Sequence, residues 1–153
     1  MSTRSFRVGR SSAGLGLFAV RPIAKKEYIV TYSGKWTSTE EARRRERRRN
    51  VKYMFEVNRQ WTIDGSSRRN LGRYINHSCQ PNAQAVFREG RMVLVALYPI
   101  APGEEITFDY GDEYFNLFFE EKGCRCAACL AKTNDMTSRR CDGHALRIPK
   151  RFL

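Results

Sequence analysis

Apolar positions along this chain come in short runs broken by turn formers, the pattern of short strands. Phe6 to Val8 predicts a first strand, and the small, glycine-rich stretch from Ser11 to Gly16 predicts a loop. Leu17 to Val20 resumes the apolar pattern until Arg21-Pro22 ends it. The β-branched and aromatic run Tyr28 to Tyr32 suits a strand that Gly34 breaks. Further strands are expected at Tyr53 to Asn58, Trp61 to Ile63, Ala83 to Phe87 and Met92 to Ala96, with a hairpin turn at Gly90. Pro99, Pro102 and Gly103 form a loop before a last strand, Ile106 to Tyr110, and 113–122 reads as a short aromatic helix.

Residues 37–49 follow a different rule. Ser38 or Thr39 can cap a helix, Glu40 and Glu41 occupy its first turn, and arginines fill its C-terminal end, matching the helix dipole. Six of the seven residues from Arg43 to Arg49 are arginine, which reads either as a solvated face or as a docking surface for an acidic partner or nucleic acid. Many short strands with one or two helices predict an α+β domain that is mostly β.

Charge and cysteines change this picture. The 153 residues suffice for one domain, and 28 basic against 16 acidic residues give a net +12, so polyanions or acidic surfaces are expected partners. No apolar stretch approaches the roughly 20 residues that cross a bilayer, and MSTRSFRVGR lacks a secretory signal. We therefore expect no membrane partner and an intracellular location: cytoplasmic if bacterial, nuclear if eukaryotic or delivered to a host. Of five cysteines, Cys124, Cys126 and Cys129 crowd into six residues, which in an intracellular chain reads as a metal site. A structural zinc takes four ligands, and Cys79, Cys141 or His144 could supply the fourth.

Three other strings carry candidate chemistry. Gly14-Leu15-Gly16 lets backbone amides approach a ligand, but it is no dinucleotide fingerprint, since residue 19 is Ala. Asn76-His77-Ser78-Cys79-Gln80-Pro81-Asn82 is dense in donors and acceptors around a histidine. Its Cys79 and His77 do not make a convincing hydrolase pair, because near neighbours in sequence rarely face each other productively and no oxyanion-hole pattern accompanies them. Gly103 to Gly111, GEEITFDYG, is a turn feeding a strand that ends in an acid and a tyrosine.

Together, GLG at 14–16, YSG at 32–34, NHSCQPN, GEEITFDYG and CRCAAC at 124–129 resemble the SET-domain protein-lysine methyltransferases. The resemblance implies a SET-domain (β-clip) fold in which the NHSC and DYG segments thread into a pseudoknot. It implies a catalytic domain over 5–118, a cysteine-bearing post-SET-like segment over 119–135 and a basic tail over 136–153. It further implies that Gly14, Leu15, Gly16, Asn76, His77 and Tyr110 bind S-adenosylmethionine. Tyr110 would stand where donor and lysine nitrogen meet, Tyr32 would line the lysine channel, and Phe108 would influence how many methyl groups are added. Cys79 would join Cys124, Cys126 and Cys129 around one structural zinc, although only two residues separate the last two cysteines where the family commonly has four. The implied substrate is an accessible lysine of a histone or histone-like basic protein. The competing class is a non-catalytic, zinc-stabilised basic module that binds nucleic acid or chromatin through the Arg43 to Arg49 helix.

Overall fold

The computed structural model describes residues 5–49, 52–111 and 124–132. In chain order their elements are β1 (Phe6–Ser11), β2 (Gly14–Ala19), β3 (Tyr28–Thr31), β4 (Lys35–Ser38), α1 (Thr39–Arg49) and β5 (Met54–Glu56). There follow β6 (Trp61–Asp64), a 3-10 turn (Leu71–Tyr74), β7 (Asn76–His77), β8 (Ala83–Arg88), β9 (Arg91–Ala96), β10 (Glu105–Phe108) and α2 (Ala127–Lys132). The mostly β, α+β class expected from the sequence holds. Among the described residues, no helix is long and apolar enough to cross a membrane.

The chain forms two compact units, each interleaved along the sequence. The first gathers the described residues of 5–27, 74–84, 96–111 and 124–132. Its sheet runs β1-β2-β10-β7, antiparallel except for the parallel pair of β10 with β7. Leu17 and Ile106 face each other across β2 and β10 and are fully buried, with Ile23, Ile75 and Ile100 completing this core. Burying each such side chain contributes about 1.5–3 kcal/mol. One expectation is corrected here. Gly14, Leu15 and Gly16 are not a loop but the start of β2, in register with Ser11, Arg10 and Gly9. The turn is only Ser12-Ala13, and Gly14 follows it at φ +110°, a conformation other residues avoid.

The second unit holds 28–73 and 85–95. Its sheets run β3-β9-β8 and β4-β6-β5. Met92 to Ala96 is buried throughout, as a central strand covered on both faces should be, so its apolar run is continuous rather than alternating. Glu89 and Gly90 both turn through positive φ, the geometry of the tight hairpin expected at Gly90. Helix α1 begins where its sequence says: Ser38 Oγ accepts from the Glu41 N–H at 3.2 Å, a cap with an acid in the first turn. Its one small apolar residue near that end, Ala42, is buried, while Thr39 Oγ1 donates to the Asn58 carbonyl and meets Thr62 Oγ1 at 2.9 Å. The strand β4, ahead of this cap, is not legible in the sequence. Residues 113–122, Cys141 and His144 lie outside the described residues, as does the expected boundary at 118.

Candidate functional site

The first unit brings the two most distinctive strings together. Asn76 and His77 of β7 pair with Thr107 and Phe108 of β10, and the Ser78 N–H donates to the Phe108 carbonyl at 3.1 Å. Asn82 closes the junction from the other end of its string. Its Nδ2 donates to the Glu105 carbonyl and its Oδ1 accepts from the Thr107 N–H, each at 2.9 Å. One side-chain amide thereby substitutes for a neighbouring strand along two residues of β10.

Tyr110 follows β10 directly. Its hydroxyl donates to the Ile75 carbonyl at 2.7 Å, and its ring lies 4.8 Å from Phe108 and 5.5 Å from His77, both tilted. The Tyr110 N–H donates to His77 Nδ1 at 3.2 Å. A neutral imidazole accepting there carries its proton on Nε2, which sits 3.4 Å from Cys79 Sγ. His77 thus stands between the tyrosine and the first cysteine of the cluster. Asp109 Oδ1 is 3.6 Å from the same Nδ1.

The glycine hairpin joins this group through Asn76. Asn76 Nδ2 reaches the Leu15 carbonyl and Glu105 Oε1, each at 2.8 Å, and Ser11 Oγ at 3.3 Å. Ser11 Oγ in turn donates to Glu105 Oε2 at 2.9 Å. Gly14, Leu15, Gly16, Asn76, His77, Phe108 and Tyr110 therefore share one sheet and its immediate flank. A Cβ at Gly16 would collide with the Glu105 carboxylate, which explains why glycine stands there within a strand.

Tyr32 belongs to the second unit. It is buried, its hydroxyl donates to the Tyr53 carbonyl at 2.8 Å, and its ring lies 4.9 Å from Phe55. Tyr53 holds φ +72°, a strained conformation for an aromatic residue, and the Arg73 guanidinium covers its ring at 4.1 Å. Asn70, 1% exposed, ties this neighbourhood: its Oδ1 accepts from the Ser33 and Gly72 N–H groups and its Nδ2 donates to the Gly65 carbonyl, all at 3.1 Å. Sequence reasoning does not single out Asn70, Ser11 or Glu105 and gives Asn82 no role. The only signal for them is a polar residue close to apolar strand positions, which is too common to distinguish these four.

Cys79, Cys124, Cys126 and Cys129 converge, with all four sulfurs within 4.8 Å of one another. Cys79 Sγ lies 3.7 Å from both Cys124 Sγ and Cys129 Sγ. Zinc–sulfur bonds of about 2.3 Å in a tetrahedron require sulfurs about 3.8 Å apart, so the spacing fits such an ion. Burial, reinforced by the neighbouring thiols, pushes Cys79 up from its ordinary 9.0 to about 12. Burial likewise raises Cys124. At Cys126 burial acts upward too, but N–H groups, that of Cys129 among them, outweigh it and the net direction is down. Cys79, Cys124 and Cys126 are free thiols, and ligation by four thiolates needs all four cysteines reduced.

On α1, Arg43 pairs with Glu56, Arg44 with Glu41, and Arg45 with Glu41 and Asp64. Arg47 and Arg48 are exposed. Part of the described arginine face is thus internally paired, as a solvated helix requires, and the rest is open to solvent.

A family model described as the SET domain matches residues 14–111. Histone-lysine N-methyltransferase Set2 of Drosophila melanogaster is 39% identical over 134 residues, which is 82% of this chain and 6% of the relative. The crystal structure of polycomb repressive complex 2 from Chaetomium thermophilum is similar at a TM-score of 0.66 and 32% identity, over 76% of this chain and 16% of that one. The complex described as ctPRC2 in an autoinhibited conformation bound to S-adenosylmethionine is similar at 0.64 and 32%, over 78% and 17%. The chain thus spans less than a fifth of each of these proteins.

Proposed function

The chain belongs to the SET-domain family, and on that premise we propose that it is a protein-lysine N-methyltransferase that uses S-adenosylmethionine and acts on a histone or another basic protein. The observation that carries this is the meeting of the NHSC and DYG segments, which leaves Tyr110 held by the Ile75 carbonyl among Phe108 and His77. The relative named as a histone-lysine N-methyltransferase and the neighbour bound to S-adenosylmethionine support the donor and the substrate class. In a cell with a nucleus, a histone substrate would be met there.

When bound, S-adenosylmethionine supplies an electrophilic methyl carbon on a sulfonium. The chain's own residues supply alignment and exclude water. The lysine would have to lose a proton to solvent first, so that its neutral nitrogen could take the methyl carbon while the sulfonium sulfur leaves as a thioether. The Tyr110 hydroxyl hydrogen is committed to Ile75, so towards an amine N–H its oxygen acts as an acceptor. Phe108 and Tyr110 are aromatic walls that also accommodate a methylated cation. We assign Tyr32 as the second lysine-facing tyrosine; its rigid anchorage to Tyr53 suits a positioning role. Gly14, Leu15, Gly16, Asn76 and His77 are the proposed donor-binding residues. Because Phe108 lacks the hydroxyl that a tyrosine would place beside the lysine nitrogen, two or three methyl groups are expected on the product.

The cysteine cluster is proposed to hold one structural zinc that docks the 124–132 segment in the manner of a post-SET segment. Ligation would displace the thiol protons, so uptake should strengthen as pH rises. The exposed Arg47 and Arg48 are proposed to touch nucleic acid. Residues 28–73 and 85–95 hold 14 basic and six acidic residues, a net +8 out of the chain's +12, which favours such a contact. The reading as a whole is tested by mass spectrometry of core histones incubated with the protein and donor. Methyl-lysine at a defined position is expected, and no modification of any histone despite measurable donor binding would overturn the substrate class.

A further inference from the structure

Two of the contacts of Asn76 determine which way its amide faces. The Leu15 carbonyl and the Glu105 carboxylate can only accept hydrogen bonds, and both lie 2.8 Å from the same side-chain atom. That atom must be the amide nitrogen, whatever else surrounds it. Both of its hydrogens are thereby consumed inside the protein, and the side chain has only its carbonyl oxygen left to offer a ligand. Among the described residues, the hydrogen bonds of this side chain all run through its nitrogen. An oxygen presented in this way suits a donor, above all a cationic one.

Glu105 controls this arrangement. Its Oε1 receives Asn76, its Oε2 receives the Ser11 hydroxyl, and Gly16 lacks a side chain where the carboxylate passes β2. One carboxylate therefore links three elements: the end of β1, the glycine strand β2, and β7. The β10 backbone that carries it is clamped by Asn82.

We propose that Glu105 is a positioning residue for the methyl donor: it locks the Asn76 amide so that its oxygen faces the ammonium of the donor's amino-acid end. This rests on the donor-binding assignment above. Glu105 acts through Asn76 and not by touching the reacting atoms, so its effect belongs to the amino-acid end of the ligand and not to the adenosine.

The test is calorimetry on the full chain with two ligands, S-adenosylhomocysteine and 5′-methylthioadenosine, which shares the thioether and adenosine but has no amino-acid end. Glu105→Ala is expected to weaken S-adenosylhomocysteine about tenfold, the effect of one misdirected hydrogen bond to a charged group. It should change methylthioadenosine less than about twofold on the same reasoning. Binding of the second ligand also reports that the variant is folded. Glu105→Gln keeps an oxygen towards Asn76 and can donate to Ser11 Oγ, so it should restore affinity to within about threefold of the unaltered chain. In an Asn76→Ala background, Glu105→Ala should cost nothing further. Equal weakening of both ligands, no weakening of either, or a Gln variant as poor as Ala would overturn the positioning role. If the unaltered chain binds neither ligand, the donor-binding reading itself fails.

Discussion

Replacing Asn82 by alanine removes two hydrogen bonds to the backbone of β10 at once, those to the Glu105 carbonyl and the Thr107 N–H. Each such bond is worth about 1 kcal/mol net, so the loss should be about 2 kcal/mol, and more where water cannot reach the two orphaned groups. For a chain of this size that corresponds to a fall in Tm of about 4–8 °C. Asn82→Asp is the sharper variant. Its carboxylate can still accept from Thr107, but it points a second oxygen at the Glu105 carbonyl where a donor is required. It should be at least as destabilising as alanine although it is nearly isosteric. Urea unfolding followed by fluorescence gives both values, and an unchanged slope would show that the native bond and not the unfolded ensemble was altered. An Asp variant within about 0.5 kcal/mol of the unaltered chain would refute the role given to this amide.

Three further outcomes are expected. Zinc should bind to the reduced protein with a stoichiometry of one and not to protein whose thiols have been oxidised, as measured by elemental analysis on both samples; equal uptake by both would contradict four-thiolate ligation by these cysteines. Because burial raises Cys79 from 9.0 to about 12, its contribution to metal-free stability is complete below about pH 9 and is lost as pH rises from there towards 12, so denaturant midpoints of the zinc-free protein should decline across that window. Arg47→Glu with Arg48→Glu should weaken binding to duplex DNA and flatten its salt dependence by about two contacts' worth without altering the fold; an unchanged salt slope would return these side chains to plain solvation.

Much of this protein is legible in its amino-acid sequence. Most strands of the second unit follow from β-branched and aromatic runs, and Ser38 with Glu41 marks the helix start in plain sequence terms. Cys124, Cys126 and Cys129 announce themselves by spacing, and Cys79 joins them in space. Gly14 and Gly16 read as a loop because glycine is normally a turn former. Gly16 is in a strand because it pairs with Gly9 of β1, and a side chain there would meet the Glu105 carboxylate, some 90 residues away in sequence, which no local pattern encodes. Asn70, Asn82 and Glu105 are invisible for the same reason: the role of a polar group inside a fold is defined by the partners that tertiary structure brings to it. Helix α2 escapes notice because it is only six residues long and adjoins Cys124 and Cys126 while carrying Cys129, so the cysteine spacing draws the reading to metal chemistry.

The role of the Tyr110 hydroxyl is tested most directly by single-turnover transfer of an isotopically labelled methyl group, measured with saturating donor alongside donor affinity. Tyr110→Phe should transfer at least about a hundredfold more slowly while binding the donor within about threefold of the unaltered chain. A Phe variant that transfers at the rate of the unaltered chain, or an unaltered chain that binds donor and transfers to no lysine, would contradict that role.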